Sequence, residues 1–324
     1  MTTTLPRIKH LPPNAAGVAF FLCCGKDLRH GRGGEFISVT LQDSTGQLSG
    51  RIFDNVERLR YEFEAGEFVR VLGRSEVHNG RLQLVIEKIR RVIKSDDDAG
   101  FREEDCVRSS PRPIGEMWEE LEAVVQSVSD PFVRTLLERT VHAREARLRV
   151  WPAAVTVHHA YRGGFLEHLL KVAATARFLA SAYGANVDLV IAGALLHDIV
   201  KLDELEHDVY TRYSRDGNLI GHITLGVMAV HETCADIAGF PDDLRSHIEH
   251  LVVSHHGSQE FGSPVEPMTV EAFILSMADD LDAKIHQVRH ASASDAGDGE
   301  FTGYQPRLGR VLWKGARGSA PVTG

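Results

Sequence analysis

Thirteen of the chain's 17 histidines fall between His158 and His290, several of them next to carboxylates. In LLHDIVK, His197 and Asp198 interrupt an apolar run, where an imidazole and a carboxylate are costly to bury without partners. On a helix the two point about 100° apart, and Lys201 lies one turn beyond His197 on the same side. Two neighbouring ligands and a nearby ammonium can serve a metal ion and a phosphate together. Taken alone, the pair reads as a surface patch or a satisfied core histidine sooner than as a metal site. It is not alone. GGFLEHLL sets His168 on the preceding helix, GHITLG sets His222 at a helix start, and VVSHHG sets His255 and His256 at a helix end before Gly257. MADDLDAK puts Asp279, Asp280 and Asp282 on the last long helix. Imidazole and oxygen ligands with no cysteine thiolate in position suit Mn²⁺, Fe, Co²⁺ or Zn²⁺.

These residues need a helical frame. From Glu116 onward apolar residues recur at helical spacing over 117–128, 131–146, 165–183, 187–205, 223–237, 242–255 and 269–289. Residues 16–94 read differently. Ile37, Val39 and Leu41 alternate with Phe36, Ser38 and Thr40, and Leu48, Gly50 and Ile52 alternate with Ser49, Arg51 and Phe53. A DSTG turn separates those two runs, and Asn79-Gly80 reads as a hairpin turn further on. Five short strands with a helical insert near 55–64 fit a small closed barrel of the OB kind. The expected architecture is α+β with two domains: a barrel over 1–94, an acidic, proline-bearing linker over 95–115, an all-α bundle over 116–292 and a tail over 293–324. The tail's FTGYQPRLGRVLW is expected to pack back on the body.

Composition excludes several classes. A chain of 324 residues, 43% hydrophobic and 25% charged, is neither disordered throughout nor collagen-like. Four cysteines, two adjacent and two scattered, make neither a disulfide framework nor a thiolate metal site, which favours a reducing compartment. The start has basic residues before an apolar run, as a signal peptide does. Pro12 and Pro13 interrupt it, however, and a first strand over 18–24 accounts for the same residues. No run of 18 apolar residues is present, so no membrane partner is expected and the chain reads as cytoplasmic. The net charge of −9 disfavours a protein that grips nucleic acid by a basic surface alone. That total is uneven: residues 1–94 carry 15 Lys+Arg against 10 Asp+Glu, or +5, leaving −14 on the remainder.

The ordered set His168, His197-Asp198 and Asp279 resembles the metal-binding signature of the HD-domain superfamily of phosphohydrolases. His222 and His255-His256 resemble the second-metal ligands of its multinuclear branch. More narrowly, PAAVTVHHAYRGGFLEH, ALLHDIVK, GHITLG, SHHGSQEFGSP and MADDLDAK resemble the YhaM-type 3′→5′ exoribonucleases, which carry an OB-fold ahead of the HD domain. The resemblance covers nearly the whole chain and is most specific between Pro152 and Lys284. It implies His168, His197, Asp198 and Asp279 as core metal ligands and His222, His255 and His256 as holders of a second metal. It also implies Lys201 as the lysine that contacts the scissile phosphate, with Asp198 and Lys201 the catalytic pair. One departure stands out: the glycine usual before that lysine is Val200.

The expected activity is therefore metal-dependent 3′→5′ hydrolysis of single-stranded RNA, with DNA as a further substrate, to nucleoside 5′-monophosphates. Two divalent cations per site are expected, manganese first, with Co, Fe, Mg or Zn as alternatives. On the barrel, Phe36, Arg51 and Phe53 share the face opposite the core. They are read either as a base-stacking, phosphate-contacting surface or as residues covered by the helical domain. Two rival readings stay open: a phosphohydrolase of small nucleotides (a cyclic dinucleotide or dNTP), and a non-catalytic nucleic-acid-binding regulator. A homo-oligomer is compatible with the sequence. Among nearby groups, His158, His159 and Asp282 are candidates to join the site, and Glu167 is a candidate support. Asp280, His207, His231, His247, His250, His286 and His290 read as surface residues.

Overall fold

The computed structural model describes residues 3–31, 34–151, 161–207, 211–295, 297 and 299–315; for 205–207, 211–213 and 294 it describes backbone only. Two compact units divide the chain, residues 1–111 with 206–212 and residues 112–205 with 213–324. The first holds β1 (Ala16–Gly31), β2 (Gly34–Asp43), β3 (Gly46–Ile52), α1 (Val56–Leu59), β4 (Phe68–His78) and β5 (Arg81–Arg91). The strands close into a barrel in the order β1-β2-β3-β5-β4, with β3 and β5 parallel and the other pairs antiparallel.

Alternation decides which side chains fill the barrel. Ile37, Val39, Leu41, Leu48 and Ile52 point inward and are buried with Val69, Val71, Leu84 and Ile86. Gly50 sits where a Cβ would come within 2.7 Å of Val39 and 2.8 Å of Ile86, so the strand crossing leaves no room for a side chain. In the DSTG turn, Asp43 Oδ1 accepts from the main-chain N–H of Thr45 at 2.7 Å and of Gly46 at 3.1 Å, a local bond that aspartate makes readily in turns. Asn79 and Gly80 both take positive φ, 50° and 74°, as the tightest hairpin turn requires.

Two features of this unit have no periodic signal in the sequence. Leu5 and Leu11 from the N-terminal segment are buried in the barrel core. The stretch read as a linker also packs in part on the barrel. Phe101 stands edge-on to Phe20 and Phe68 at 5.4 and 5.3 Å, Cys106 is fully buried, and Asp96 receives two bonds from Arg90, 2.6 and 2.8 Å long.

The second unit contains α2 (Ile114–Gln126), α3 (Pro131–His142), α4 (Glu145–Leu148), α5 (Gly164–Tyr183), α6 (Val187–Leu196) and α7 (Lys201–Glu204). A two-stranded turn of β6 (Leu205–His207) and β7 (Thr211–Tyr213) follows. After it come α8 (Arg215–Leu219), α9 (His222–Ala235), α10 (Asp242–Ser254) and α11 (Val270–Ser294). Side-chain caps set several starts: Asp130 for α3, Asn186 for α6 and Thr269 for α11. α6 is the central helix, with every residue from Leu189 to Leu196 buried, and it packs on α3, α5, α10 and α11. At Gly193 a Cβ would meet Leu275 at 2.8 Å and Leu251 at 3.2 Å, so this glycine sets how closely α10 and α11 approach.

The sequence expectation of one helix over 187–205 is corrected. α6 ends at Leu196, residues 197–200 form turns, and α7 restarts at Lys201. Ile199, Val200 and Leu202 are buried across the break, so the apolar spacing runs on although the helix does not. At the far end, α11 continues to Ser294, and the described part of the tail pairs Phe301 with Trp313 and Gln305 with Arg310. It is tied to the end of α11 by Lys314 Nζ and Asp295 Oδ1 at 2.8 Å.

Candidate metal centre

All seven side chains singled out as ligands come together in the helical unit. α5 supplies His168, the turn after α6 supplies His197 and Asp198, and the first residue of α9 is His222. His255 and His256 follow the end of α10, and α11 supplies Asp279. His168, His197 and Asp198 bring ligand atoms within 4.8 Å of one another, and so do His222, His255 and His256.

In the first group His168 Nε2 lies 3.3 Å from His197 Nε2 and 3.4 Å from Asp279 Oδ1. His197 Nε2 lies 3.4 Å from Asp198 Oδ2. Two atoms bound to one cation at about 2.1 Å each sit roughly 3.0–3.5 Å apart, so these separations match shared coordination. In the second group Asp198 turns its other oxygen outward: Oδ1 is 3.4 Å from His222 Nε2 and 3.5 Å from His255 Nε2. Those three atoms are buried without hydrogen-bond partners. Orphaned polar atoms are expensive in a protein interior. Three of them converging from three elements fit a cation, and the residues present therefore suit the metal that the sequence implies.

Every histidine is turned the same way. The Nδ1 atoms face His197–Ala194 O (3.0 Å), His255–Val252 O (2.7 Å), His256–Phe261 O (2.8 Å), His168–Asp282 Oδ2 (2.8 Å) and His222–Glu204 Oε1 (3.2 Å). Each Nδ1 is satisfied by an oxygen, which turns every Nε2 into the site.

Charge is arranged to match. Burial alone would push the Asp198 carboxyl up, but the Lys201 ammonium and His197 hold it well below the usual carboxylate range. Burial alone would likewise lower His197 and Lys201, and the Asp198 charge raises both. Burial would raise Asp279, and His197 and His168 bring it below its ordinary value. In the second group burial pulls His255 down, and burial with His255 beside it pulls His256 to about 4. Both stay neutral, the form that ligates.

Lys201 lies beside this set with Nζ 2.5 Å from Asp198 Oδ2. Asp282 bonds His168 as just described, and Glu167, next in sequence to His168, instead joins Tyr161 Oη at 2.9 Å and Lys171 Nζ at 2.6 Å. His158 and His159 lie outside the described residues, as does the His207 side chain. Asp280 is exposed and paired with Lys284, and His231 and His290 are at the surface. The expected surface placement of three others is corrected. His247 and His250 are half-buried and bonded to Thr269 Oγ1 and the Met268 N–H, and His286 is half-buried with its ring 6.3 Å from that of Tyr161. Packing between α10, α11 and the chain entering α5 takes them in.

Sequence reasoning missed Glu204. It lies in KLDELE, which reads as a solvated run, and no motif spacing marks it. The fold buries it, and its Oε1 also accepts the His222 main-chain N–H at 3.2 Å.

On the barrel the three residues of the expected binding face form one group. Phe36 and Phe53 have ring centroids 5.6 Å apart, the Arg51 guanidinium lies 5.6 Å from the centre of the Phe36 ring, and Arg51 bonds Ser38 Oγ. Phe53 is 54% exposed, while Phe36 is half-buried.

Comparison with known proteins agrees with both units. Residues 165–284 match the HD domain family, and residues 24–92 match the OB-fold nucleic acid binding domain family. A Bacillus subtilis protein named 3′-5′ exoribonuclease YhaM is 30% identical over 260 residues, 80% of this chain and 82% of that one. Proteins of the same name from a Geobacillus species and from Halalkalibacterium halodurans are 31% and 30% identical. Their alignments cover 83% and 80% of this chain, and 82% and 80% of their own lengths. Likeness of this extent, with an OB-fold ahead of an HD domain, makes the chain a member of the YhaM family of 3′-5′ exoribonucleases.

Proposed function

We propose that this protein is a 3′→5′ exoribonuclease that hydrolyses single-stranded RNA, with single-stranded DNA as a further substrate, to nucleoside 5′-monophosphates. It would do so at a centre of two divalent cations. The observation that carries this reading is the division of Asp198 between two histidine groups, Oδ2 toward His197 and Oδ1 toward His222 and His255. His168, His197, Asp198 and Asp279 would hold one cation. His222, His255, His256 and the second oxygen of Asp198 would hold the other. When bound, such cations supply a water acidic enough to attack near neutral pH and offset charge on the phosphoryl oxygens.

The chain's own groups do the rest. Ala194 O, Val252 O, Phe261 O, Asp282 and Glu204 hold the five imidazoles with Nε2 facing the site before anything binds, so little reorganisation of the rings is needed. Lys201 keeps Asp198 ionised. Because its ammonium lies among the candidate ligands, 2.5 Å from Asp198 Oδ2, it is also the group to meet a non-bridging phosphate oxygen of the terminal nucleotide. Nitrogen and oxygen ligands without thiolate favour manganese over softer metals, with Co, Fe, Zn or Mg as substitutes. Phe36, Arg51 and Phe53 would stack bases and contact phosphate along the barrel. Four free cysteines, three of them buried, support work in the reducing cytoplasm. Among the described residues, no helix is long and apolar enough to cross a membrane.

One gel tests the reading. The protein is incubated with Mn²⁺ and 5′-labelled single-stranded RNA, duplex RNA or single-stranded DNA, beside Asp198→Ala. A ladder shortening from the 3′ end of single-stranded RNA, absent with Asp198→Ala, is expected. Uncut polymers together with hydrolysed small nucleotides would overturn it in favour of a nucleotide phosphohydrolase.

A further inference from the structure

The helix that carries Asp279 has a second face with no assigned role. Along α11, Val270, Phe273, Met277, Leu281 and Ile285 are 55, 54, 60, 49 and 43% exposed, and Val288 continues the row half-buried. At 100° per residue these six fall within about 120° of the helix surface, and Asp279 lies about 160° round from Met277. One face holds the candidate metal ligand; the other is an apolar stripe over five turns. Lys284 falls within the same arc, between Phe273 and Met277, and its ammonium pairs at 2.5 Å with Asp280 just outside it, so the charge in the stripe is compensated.

We propose that this stripe is the interface with a second copy of the same chain, the two α11 helices packing antiparallel about a two-fold axis near residue 279. The row itself selects that partner. Reversed on itself about 279, it sets Val270 against Val288, Phe273 against Ile285 and Met277 against Leu281, three apolar pairs, with Lys284 and its partner Asp280 at the margin. That is what an isologous contact demands. The area also fits. Large side chains about half exposed leave roughly 450 Å² of apolar surface on each copy. A homodimer interface is about 65% apolar, so this corresponds to roughly 700 Å² per partner, within the range of standard stable contacts. The metal-ligand face of α11 stays outside it.

The test is the mass of the full-length protein in solution, by sedimentation velocity or light scattering. The wild type is expected at twice the 35.8 kDa chain mass, or at an even multiple of it. Met277→Glu and Leu281→Lys are each expected at half the wild-type mass. Both residues are exposed, and unchanged far-ultraviolet circular dichroism verifies that each variant is folded. Mixing the two variants tests the register, because an antiparallel pair sets position 277 of one copy against position 281 of the other. The carboxylate introduced in one variant then meets the ammonium introduced in its partner, and the mixture should regain the wild-type mass. A wild type that runs as a single chain, or single variants that keep its mass, would overturn the proposal, as would a mixture that stays dissociated. None of these outcomes depends on nuclease activity, so the interface and the proposed function fail separately.

Discussion

Glu204 Oε1 takes both the ring Nδ1 and the main-chain N–H of His222, each at 3.2 Å. One buried carboxylate thus fixes where α9 begins and which way its first side chain faces. Gly217 covers it so closely that a Cβ there would meet the Glu204 carbonyl oxygen at 2.2 Å. Glu204→Ala should leave the fold in place but free the His222 ring. Supporting groups of this kind are typically worth about 10–100-fold in metal affinity. Activity titrated against Mn²⁺ should show a half-saturation shifted by that factor and recovery at high metal. A curve superimposable on the wild type would remove Glu204 from the site.

Gly193 joins the packing of the bundle to the chemistry. Its carbonyl accepts the His197 N–H at 2.8 Å, and it lies against Leu275 of α11 and Leu251 of α10. Gly193→Ala forces those helices outward, and overpacking of this kind costs about 1–3 kcal/mol. The same displacement moves Asp279 and His255 away from Asp198. Denaturant unfolding should show the stability loss, and a Mn²⁺ titration should show weaker binding. A stable variant with unchanged metal affinity would contradict this account.

The second histidine group sets a pH dependence for the metal-free protein. His256 lies near 4 in the fold against 6.5 for a free imidazole. Between those values the unfolded chain binds the proton and the folded chain does not, so stability rises with pH across that window and falls on acidification. Melting temperature in EDTA should drop as pH goes from about 6.5 toward 4. His256→Gln removes the titrating group and should flatten that part of the profile. A steeper profile in the variant would reverse the sign and refute the assignment.

The candidate ligands were legible in the sequence because each sits in a short motif whose local context survives folding: an apolar run broken by His197-Asp198, a glycine before His222, and a glycine after His256. The barrel core was legible through strict alternation in β2 and β3. Glu204 was not, because its neighbour Asp203 faces outward to Arg144 and Arg147, and nothing in KLDELE separates the buried acid from the solvated one. The break after Leu196 was hidden because Ile199, Val200 and Leu202 keep the apolar rhythm through it. Phe101 was hidden by the acidic residues around it, since a single aromatic has no period to reveal which surface it covers.

The barrel face carries the last prediction. The Phe36 ring lies beside that of Phe53 at a 40° tilt, and Arg51, tethered to Ser38, keeps its guanidinium against Phe36. Phe53 is the exposed member and so the one able to stack on a base. Removing one stacking ring costs about 1–3 kcal/mol per base, or roughly 5–150-fold in affinity. Fluorescence anisotropy with single-stranded RNA in Ca²⁺, to limit turnover, should show Phe53→Ala weakened by that factor across sequences, since every base offers a ring face. Arg51→Gln should weaken binding and reduce its salt dependence, because a phosphate contact releases counterions and a stacking contact does not. If Phe53→Ala binds as tightly as the wild type and Arg51→Gln keeps the same salt slope, the strand runs over another surface and these three residues have only a structural role.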